Sequence, residues 1–167
     1  MRLVGVVAEK NLLIAWHSRT GASEALANSV LDGAGEHAAI RRALEVSAGD
    51  ILQASAFVFV CPENLATMSG EMKEMFDRCY YPVLGKVEGR AYATIIAAGS
   101  DGEGAQAQID RIAKGWRLKR VSEHFIVNLG AQTEEQILAK KSVPRVQLER
   151  AKTLGSAIVE GLKIGIY

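Results

Sequence analysis

The stretch LLIAWHSRTGASEALANSV, residues 12–30, is the most informative about the fold, because it joins an apolar run, a polar loop and an amphipathic pattern without a break. Residues 12–16 are continuously apolar, which is typical of a strand covered on both faces in a parallel sheet. Leu26, Ala27 and Val30 recur at helical spacing, so a helix follows the loop. A strand, a short loop and a helix in this order predict the start of a right-handed β-α-β unit.

Two further apolar runs, Ala56–Cys61 and Tyr92–Ala98, have the same character and predict the other central strands. The segments Ala39–Val46 and Glu123–Leu129 are more polar, which favours the edges of the sheet. Amphipathic helical patterns separate these segments, and the last one begins near Pro144. The alternation predicts an α/β fold: a doubly wound, five-stranded parallel sheet in the order 2-1-3-4-5, with helices on both faces.

The chain has 167 residues, about the size of one domain. We expect residues 1–10 to be an N-terminal extension and residues 11–167 to be a single domain. The sequence contains no apolar run of the ~20 residues that span a bilayer, so no membrane insertion is predicted. Cys61 and Cys79 do not form a Cys-x-x-Cys pair, and we expect reduced core thiols and a cytoplasmic location.

The charges are almost balanced, with 20 Lys and Arg against 19 Asp and Glu and a formal net charge of +1. This balance excludes the large basic excess of nucleic-acid-binding domains, so no nucleic-acid partner is predicted. Asp101 and Glu103 are interpreted as solvated acids, and no metal site is predicted.

The loop HSRTGAS, residues 17–23, follows the first strand, at the edge of the sheet where doubly wound proteins bind ligands. It combines the hydroxyls of Ser18, Thr20 and Ser23 with a glycine and the start of a helix. Backbone N–H groups at a helix start, together with hydroxyl donors, form a phosphate site. The alternative is that these hydroxyls only cap the helix. Neither G-x-x-x-x-G-K-[ST] nor G-x-G-x-x-G occurs, which disfavours a triphosphate or a Rossmann-bound dinucleotide.

Two other loops follow central strands: PENLATMSG, residues 62–70, and GSDGEGA, residues 99–105. Glycines in the second loop would let the backbone approach a flat ligand closely. Ordinary β-α turns remain the alternative for both loops.

The three loops resemble those of the flavodoxin-like FMN-binding proteins. The phosphate loop of that family, [ST]-x-T-G-x-[ST], is matched by Ser18, Thr20, Gly21 and Ser23. The segment 62–82 is similar to that of flavin-dependent NAD(P)H reductases and of the tryptophan-repressor-binding-protein-like quinone reductases. The resemblance implies the flavodoxin-like strand order and an FMN cofactor, with its phosphate in the first loop and its ring between the other two. The cofactor-binding residues that it implies are Ser18, Arg19, Thr20, Gly21, Ala22, Ser23, Pro62, Glu63, Asn64, Leu65, Ala66, Thr67, Met68, Gly99, Ser100, Asp101, Gly102 and Glu103.

Neither flavin loop contains an aromatic residue, whereas electron-carrier flavodoxins commonly enclose the ring between aromatic side chains. An uncovered ring face leaves room for a nicotinamide or a quinone and favours hydride transfer. Tyr80 and Tyr81 are candidates for a wall on the substrate side, from the same chain or from a second subunit of a homo-oligomer. Buried structural tyrosines are the alternative.

The function predicted from the resemblance is hydride transfer from NAD(P)H through FMN to a quinone or a similar small-molecule acceptor. The flavin carries the chemistry, so no catalytic residue is predicted. The alternatives are an electron carrier serving a redox protein and an FMN-binding module without turnover. Carriers of that kind are strongly acidic, and the net charge of +1 therefore favours the enzyme.

Overall fold

The computed structural model describes residues 11–167, so the prediction for residues 1–10 lies outside the described part. The strands are β1 (Leu12–Trp16), β2 (Ala38–Arg42), β3 (Ala56–Asn64), β4 (Thr67–Met68), β5 (Ala91–Ala98), β6 (Lys119–Arg120) and β7 (Ile126–Asn128). The α-helices are α1 (Ala22–Ala34), α2 (Ala48–Gln53), α3 (Gly70–Val83), α4 (Glu103–Gly115), α5 (Glu134–Leu138) and α6 (Arg145–Ile164).

The main sheet is parallel and has the order β2-β1-β3-β5-β6, which confirms the predicted order 2-1-3-4-5. The fifth position is divided between two short strands, because β6 pairs with the start of β5 and β7 pairs with its end. The strands in the middle are buried on both faces, as their continuous apolar sequences require.

Helices cover both faces of the sheet. Alternate residues of the central strands, such as Ile14 and Val58, pack towards α1 and α6. The intervening residues, such as Phe57 and Phe59, pack towards α2, α3 and α4, where Phe59 meets Phe76 edge to face at 4.9 Å between ring centroids. This layered packing is that of an α/β protein.

Helices α1 and α6 approach each other closely enough for backbone contact. A Cβ on Gly33 would lie 1.8 Å from the carbonyl oxygen of Lys152, and one on Gly155 would lie 2.1 Å from that of Val30. No side chain fits at either crossing point, so glycine is required there. The contact fixes the position of α1 and thereby the position of its first turn, at the carboxyl edge of the sheet.

Three segments differ in detail from the sequence-based prediction. The strand predicted over Ala39–Val46 ends at Arg42 and continues as a 3₁₀ turn. The strand predicted over Glu123–Leu129 is limited to Ile126–Asn128. The predicted loop after the third strand is a β-hairpin, since β3 continues to Asn64 and pairs antiparallel with β4.

Cys61 and Cys79 are buried free thiols, in agreement with the expectation from the sequence. Burial raises the pKa of the Cys61 thiol to about 12, so this group stays protonated and unreactive at neutral pH. Within residues 11–167, no helix is long and apolar enough to cross a membrane.

Candidate functional site

A cleft of about 350 Å³ opens at the carboxyl edge of the sheet, where β1, β3 and β5 end. This is the edge at which doubly wound sheets bind ligands. Twelve of the residues predicted from the sequence line it: Ser18, Arg19, Thr20, Ala22, Ser23, Pro62, Glu63, Asn64, Leu65, Ala66, Gly99 and Ser100. Six residues that the sequence reasoning missed complete the lining: Ala97, Ala98, Leu129, Ala131, Ile137 and Lys141.

The first loop ends at the start of α1. Gly21 takes a left-handed conformation with φ 97°, and its N–H donates to Ser18 Oγ at 3.0 Å. Among residues 11–167, no side chain accepts from the N–H groups of Ala22, Ser23 and Glu24 in the first turn of α1. Ser23 is only 1% exposed, and its hydroxyl oxygen is buried with no hydrogen-bond partner in the described residues 11–167. This loop therefore presents unsatisfied donors and a helix dipole to the cleft.

The loop after β5 has the same backbone form but is already capped. Gly102 has φ 103° at the start of α4, close to the value at Gly21. The carboxylate of Glu63, at the end of β3, accepts from Gly102 N–H at 2.8 Å and from Ala105 N–H at 3.0 Å. A negative charge of the protein itself thus occupies the start of α4.

The residues fit a phosphate at α1 and exclude one at α4. At α1, the buried hydroxyl of Ser23, which has no partner among residues 11–167, lies in the wall of the cleft at a helix start that holds no carboxylate from another strand. At α4, Glu63 fills the equivalent place and would repel an anion. A single phosphate group, as FMN carries, matches this arrangement.

The hairpin between β3 and β4 forms the wall opposite the first loop. Its turn residues Leu65 and Ala66 have φ 52° and 61°, the combination of a type I′ turn, which normally requires Asn or Gly. Leu65 is 98% exposed at the tip. A Cβ on Gly104 would lie 2.1 Å from the Ala66 carbonyl oxygen, so α4 packs directly against the turn. Gln108 Oε1 accepts from Met68 N–H at 2.9 Å and holds β4, the second strand of the hairpin, against α4.

The other predicted site residues lie outside the cleft lining: Gly21, Thr67, Met68, Asp101, Gly102 and Glu103. Gly21 and Gly102 shape the backbone at the two helix starts. Met68 is buried in the core beside α3 and α4, and the Asp101 carboxylate accepts from Glu103 N–H at 3.3 Å.

Tyr80 and Tyr81 lie near the end of α3 that is remote from the cleft. A helix of 14 residues spans about 20 Å, and both tyrosines belong to its last turn. They line a second groove together with Phe76 and Trp116. Tyr81 is 80% exposed, so it is not a buried structural tyrosine. Neither side chain forms a wall of the cleft in its own chain.

His17 is the first residue of the first loop and is largely buried. Its Nε2 is 3.4 Å from Glu71 Oε2, and its Nδ1 has no hydrogen-bond partner within residues 11–167. Burial lowers the pKa of His17, the charges of Arg42 and Arg19 lower it further, and Glu71 opposes the shift. The neutral imidazole adds no charge to the loop.

Fold and cleft together define a flavodoxin-like protein with a candidate anion site at the start of α1. The sequence profile of the NADPH-dependent FMN reductase family matches residues 16–131, more than half of the chain. The chain belongs to this family. The predicted resemblance and the predicted cofactors, FMN with NAD(P)H as the donor, are confirmed at the level of the family. No curated protein matches the chain significantly.

Solved structures share the fold at low sequence identity. A flavodoxin from the domain Archaea has 16% identity and a TM-score of 0.73, covering 92% of this chain and 99% of that chain. A WrbA-like flavodoxin from Agrobacterium tumefaciens has 18% identity and a TM-score of 0.70, covering 90% and 96%. An NAD(P)H:quinone oxidoreductase from Methanothermobacter marburgensis has 16% identity and a TM-score of 0.60, covering 90% and 100%.

Proposed function

We propose that the protein is an FMN-dependent oxidoreductase that takes hydride from NAD(P)H and reduces a quinone or a similar small acceptor. The observation that carries this proposal is the contrast between the two helix starts at the cleft. The start of α1 has the buried hydroxyl of Ser23, which finds no partner in the part of the chain that the structure describes, whereas the start of α4 holds the carboxylate of Glu63. The cleft therefore accepts one anionic end of a ligand and orients it.

The phosphate end of FMN would be held by the first loop. Ser23 Oγ and the backbone N–H groups at the start of α1 would donate to it, and Thr20 Oγ1 would be a further donor from the cleft wall. Arg19 adds a positive charge at the rim, where it would attract the dianion from solution.

The flavin ring would lie between the hairpin wall and the loop after β5. Small residues line this part of the cleft, among them Ala66, Ala98 and Gly99. At Gly99 a Cβ would lie 2.6 Å from the Ala131 carbonyl oxygen, so only glycine fits there. When bound, FMN supplies the hydride chemistry, and the protein binds and orients it.

The lining of the cleft contains no aromatic side chain among the described residues. Aliphatic side chains would leave part of one ring face accessible, and a nicotinamide or quinone could stack there. This open wall favours hydride transfer over the edge-on electron transfer of a carrier whose ring is enclosed by aromatic residues. A cytoplasmic location, where nicotinamide cofactors and reduced thiols both occur, belongs to the same proposal.

An anaerobic reduction experiment tests the proposal. Purified protein is loaded with FMN, mixed with NADH or NADPH, and followed by flavin absorbance. We expect the absorbance to bleach and to return when a soluble quinone is added. Protein that fails to bind FMN would contradict the cofactor assignment. FMN-loaded protein that is reduced only by a reductase protein, and by neither nucleotide, would instead identify an electron carrier.

A further inference from the structure

We propose that residues 131–141, here called the strap, are a fourth cofactor-holding segment in which Ile137 packs against bound FMN and Lys141 holds Ile137 in place. The proposal rests on the proposed FMN site and adds residues that come from none of the three loops. The strap connects β7 to α6, contains α5, and contributes Ala131, Ile137 and Lys141 to the cleft.

The strap joins two of the three ligand loops. At its start, the Ala131 carbonyl oxygen crosses so close to Gly99 that a Cβ there would lie 2.6 Å away. At its end, Lys141 N–H donates to the carbonyl oxygen of Thr20, in the first loop, at 2.8 Å. The strap therefore spans the cleft from the loop after β5 to the loop after β1.

Between these anchors the strap has almost no buried surface. Helix α5 contains no buried residue, and residues 132–140 are all exposed. Ile137 lines the cleft and is 49% exposed, whereas its neighbour Leu138 is 59% exposed and lies outside the lining. A ligand in the cleft would remove apolar surface of Ile137 from water and leave the exposed surface of Leu138 unchanged.

Side chains of the strap hold α5 at both ends. Thr133 and Gln136 form a capping box at its start. At its other end, Lys141 Nζ donates to the carbonyl oxygens of Gln136 at 2.6 Å, Ile137 at 2.9 Å and Ala139 at 2.6 Å. An isolated helix of five residues is unstable in water, so these bonds decide whether Ile137 faces the cleft.

This arrangement makes the strap a locally weak element that the cofactor stabilises. Segments with few buried contacts open readily, and a ligand that contacts only the closed form slows their opening. We therefore expect FMN to protect the amides of residues 134–139 from hydrogen exchange, in addition to those of the three loops. We also expect the strap to slow the release of FMN.

Two variants and two matched controls test this inference. Ile137→Ala removes the packing side chain, and Lys141→Met removes the hydrogen bonds but keeps the aliphatic stem. Leu138→Ala and Lys140→Met are the controls, because Leu138 and Lys140 are adjacent in sequence to Ile137 and Lys141 but line no part of the cleft. The measurements are the rate of FMN release after dilution, followed by flavin fluorescence, and hydrogen exchange of the strap with and without FMN.

We expect FMN release to be about ten-fold faster in both variants. This is the change expected when one to two methylene groups are no longer buried against the ligand. Both controls should release FMN at the wild-type rate. Protection of residues 134–139 by FMN should appear in the wild type and be lost in Lys141→Met. All four proteins should unfold at the same urea concentration, because α5 buries no residue in the core.

Equal release rates in all five proteins, without protection of the strap, would overturn the inference and leave the proposed function intact. A wild-type protein that binds no FMN would overturn the proposed function itself, and the inference with it. The binding titration of the wild type therefore separates the two failures.

Discussion

Two strand-to-helix turns of this protein have nearly the same backbone and opposite chemistry. Gly21 precedes α1 with φ 97° and ψ −15°, and Gly102 precedes α4 with φ 103° and ψ −16°. At α4 the carboxylate of Glu63 accepts from Gly102 N–H and Ala105 N–H. At α1 only the neutral hydroxyl of Ser18 accepts, from Gly21 N–H, and Ser23 Oγ is buried with no hydrogen-bond partner among residues 11–167.

In the proposed assignment, the ligand site is the helix start that no carboxylate of the protein occupies. Both turns place a glycine at the cleft edge, and both helices carry an acid in the first turn. Neither feature distinguishes them. The distinguishing group is one carboxylate from another strand, Glu63, which gives the start of α4 an internal anion. The start of α1 has none, and we propose that it takes an external anion.

The largest effect is expected from removing the donors at α1. Thr20→Val combined with Ser23→Ala deletes two hydroxyls that would bind the phosphate dianion. Hydrogen bonds to a charged group contribute about 1.5–3 kcal/mol each, so FMN affinity should fall roughly 100-fold or more. Fluorescence quenching of FMN measures the affinity, with Ser122→Ala, outside the cleft, as the control. Unchanged affinity would assign the phosphate to another place.

The next effect concerns the two glycines. Ala at either position costs about 1–2 kcal/mol for the left-handed backbone. At Gly102 a Cβ would also lie 2.5 Å from Ile126 Cγ2, whereas at Gly21 the nearest atom is 3.9 Å away. Gly102→Ala should therefore lower the free energy of unfolding by about 1–3 kcal/mol more than Gly21→Ala. Urea unfolding measures the free energy of unfolding of both variants. Equal decreases would show that the two turns are packed equally tightly.

A smaller effect is expected at the internal cap. Glu63→Gln removes the charge and turns an amide donor towards one of the two backbone N–H groups. The free energy of unfolding should fall by about 1–2 kcal/mol. Glu103→Gln is the matched control, because Glu103 lies in the first turn of the same helix and should change it by less than about 1 kcal/mol. Similar losses of unfolding free energy in both variants would mean that Glu63 acts only through its negative charge near the helix start, and that its two hydrogen bonds contribute nothing further.

The smallest effect is the pH dependence contributed by His17. Burial, with Arg42 and Arg19, holds its pKa below the ordinary 6.5 in the folded protein. Below that pH the unfolded chain binds a proton more readily than the folded one, so stability is lost as the pH falls from 6.5. His17→Asn should therefore lose less stability than the wild type between pH 7 and pH 5. Urea midpoints at the two pH values check this, and identical slopes would contradict it.

The sequence predicts the sheet well because the central strands are continuous runs of apolar residues. Ala56–Cys61 and Tyr92–Ala98 can be buried only between two layers of helices, which leaves few topologies open. The first loop is equally local, since its hydroxyls, its glycine and the helix that follows lie within one stretch of chain.

The rest of the site depends on contacts between distant segments. The capping of α4 by Glu63 joins residues about forty positions apart, and no local sequence pattern predicts such a contact. The hairpin was missed because Leu65 and Ala66 are not the residues that normally form a type I′ turn. The strap was missed because α5 is exposed all round and lacks an apolar stripe.

The division of the fifth sheet position has a consequence for self-association. A continuous edge strand exposes a row of backbone groups on which another chain can add a strand. Here that edge consists of Lys119–Arg120 and Ile126–Asn128, too short to hold an incoming strand in register. The opposite edge, β2, ends in Arg41 and Arg42, whose charges resist a dry β interface. Both borders of the sheet are therefore poor templates for fibril growth.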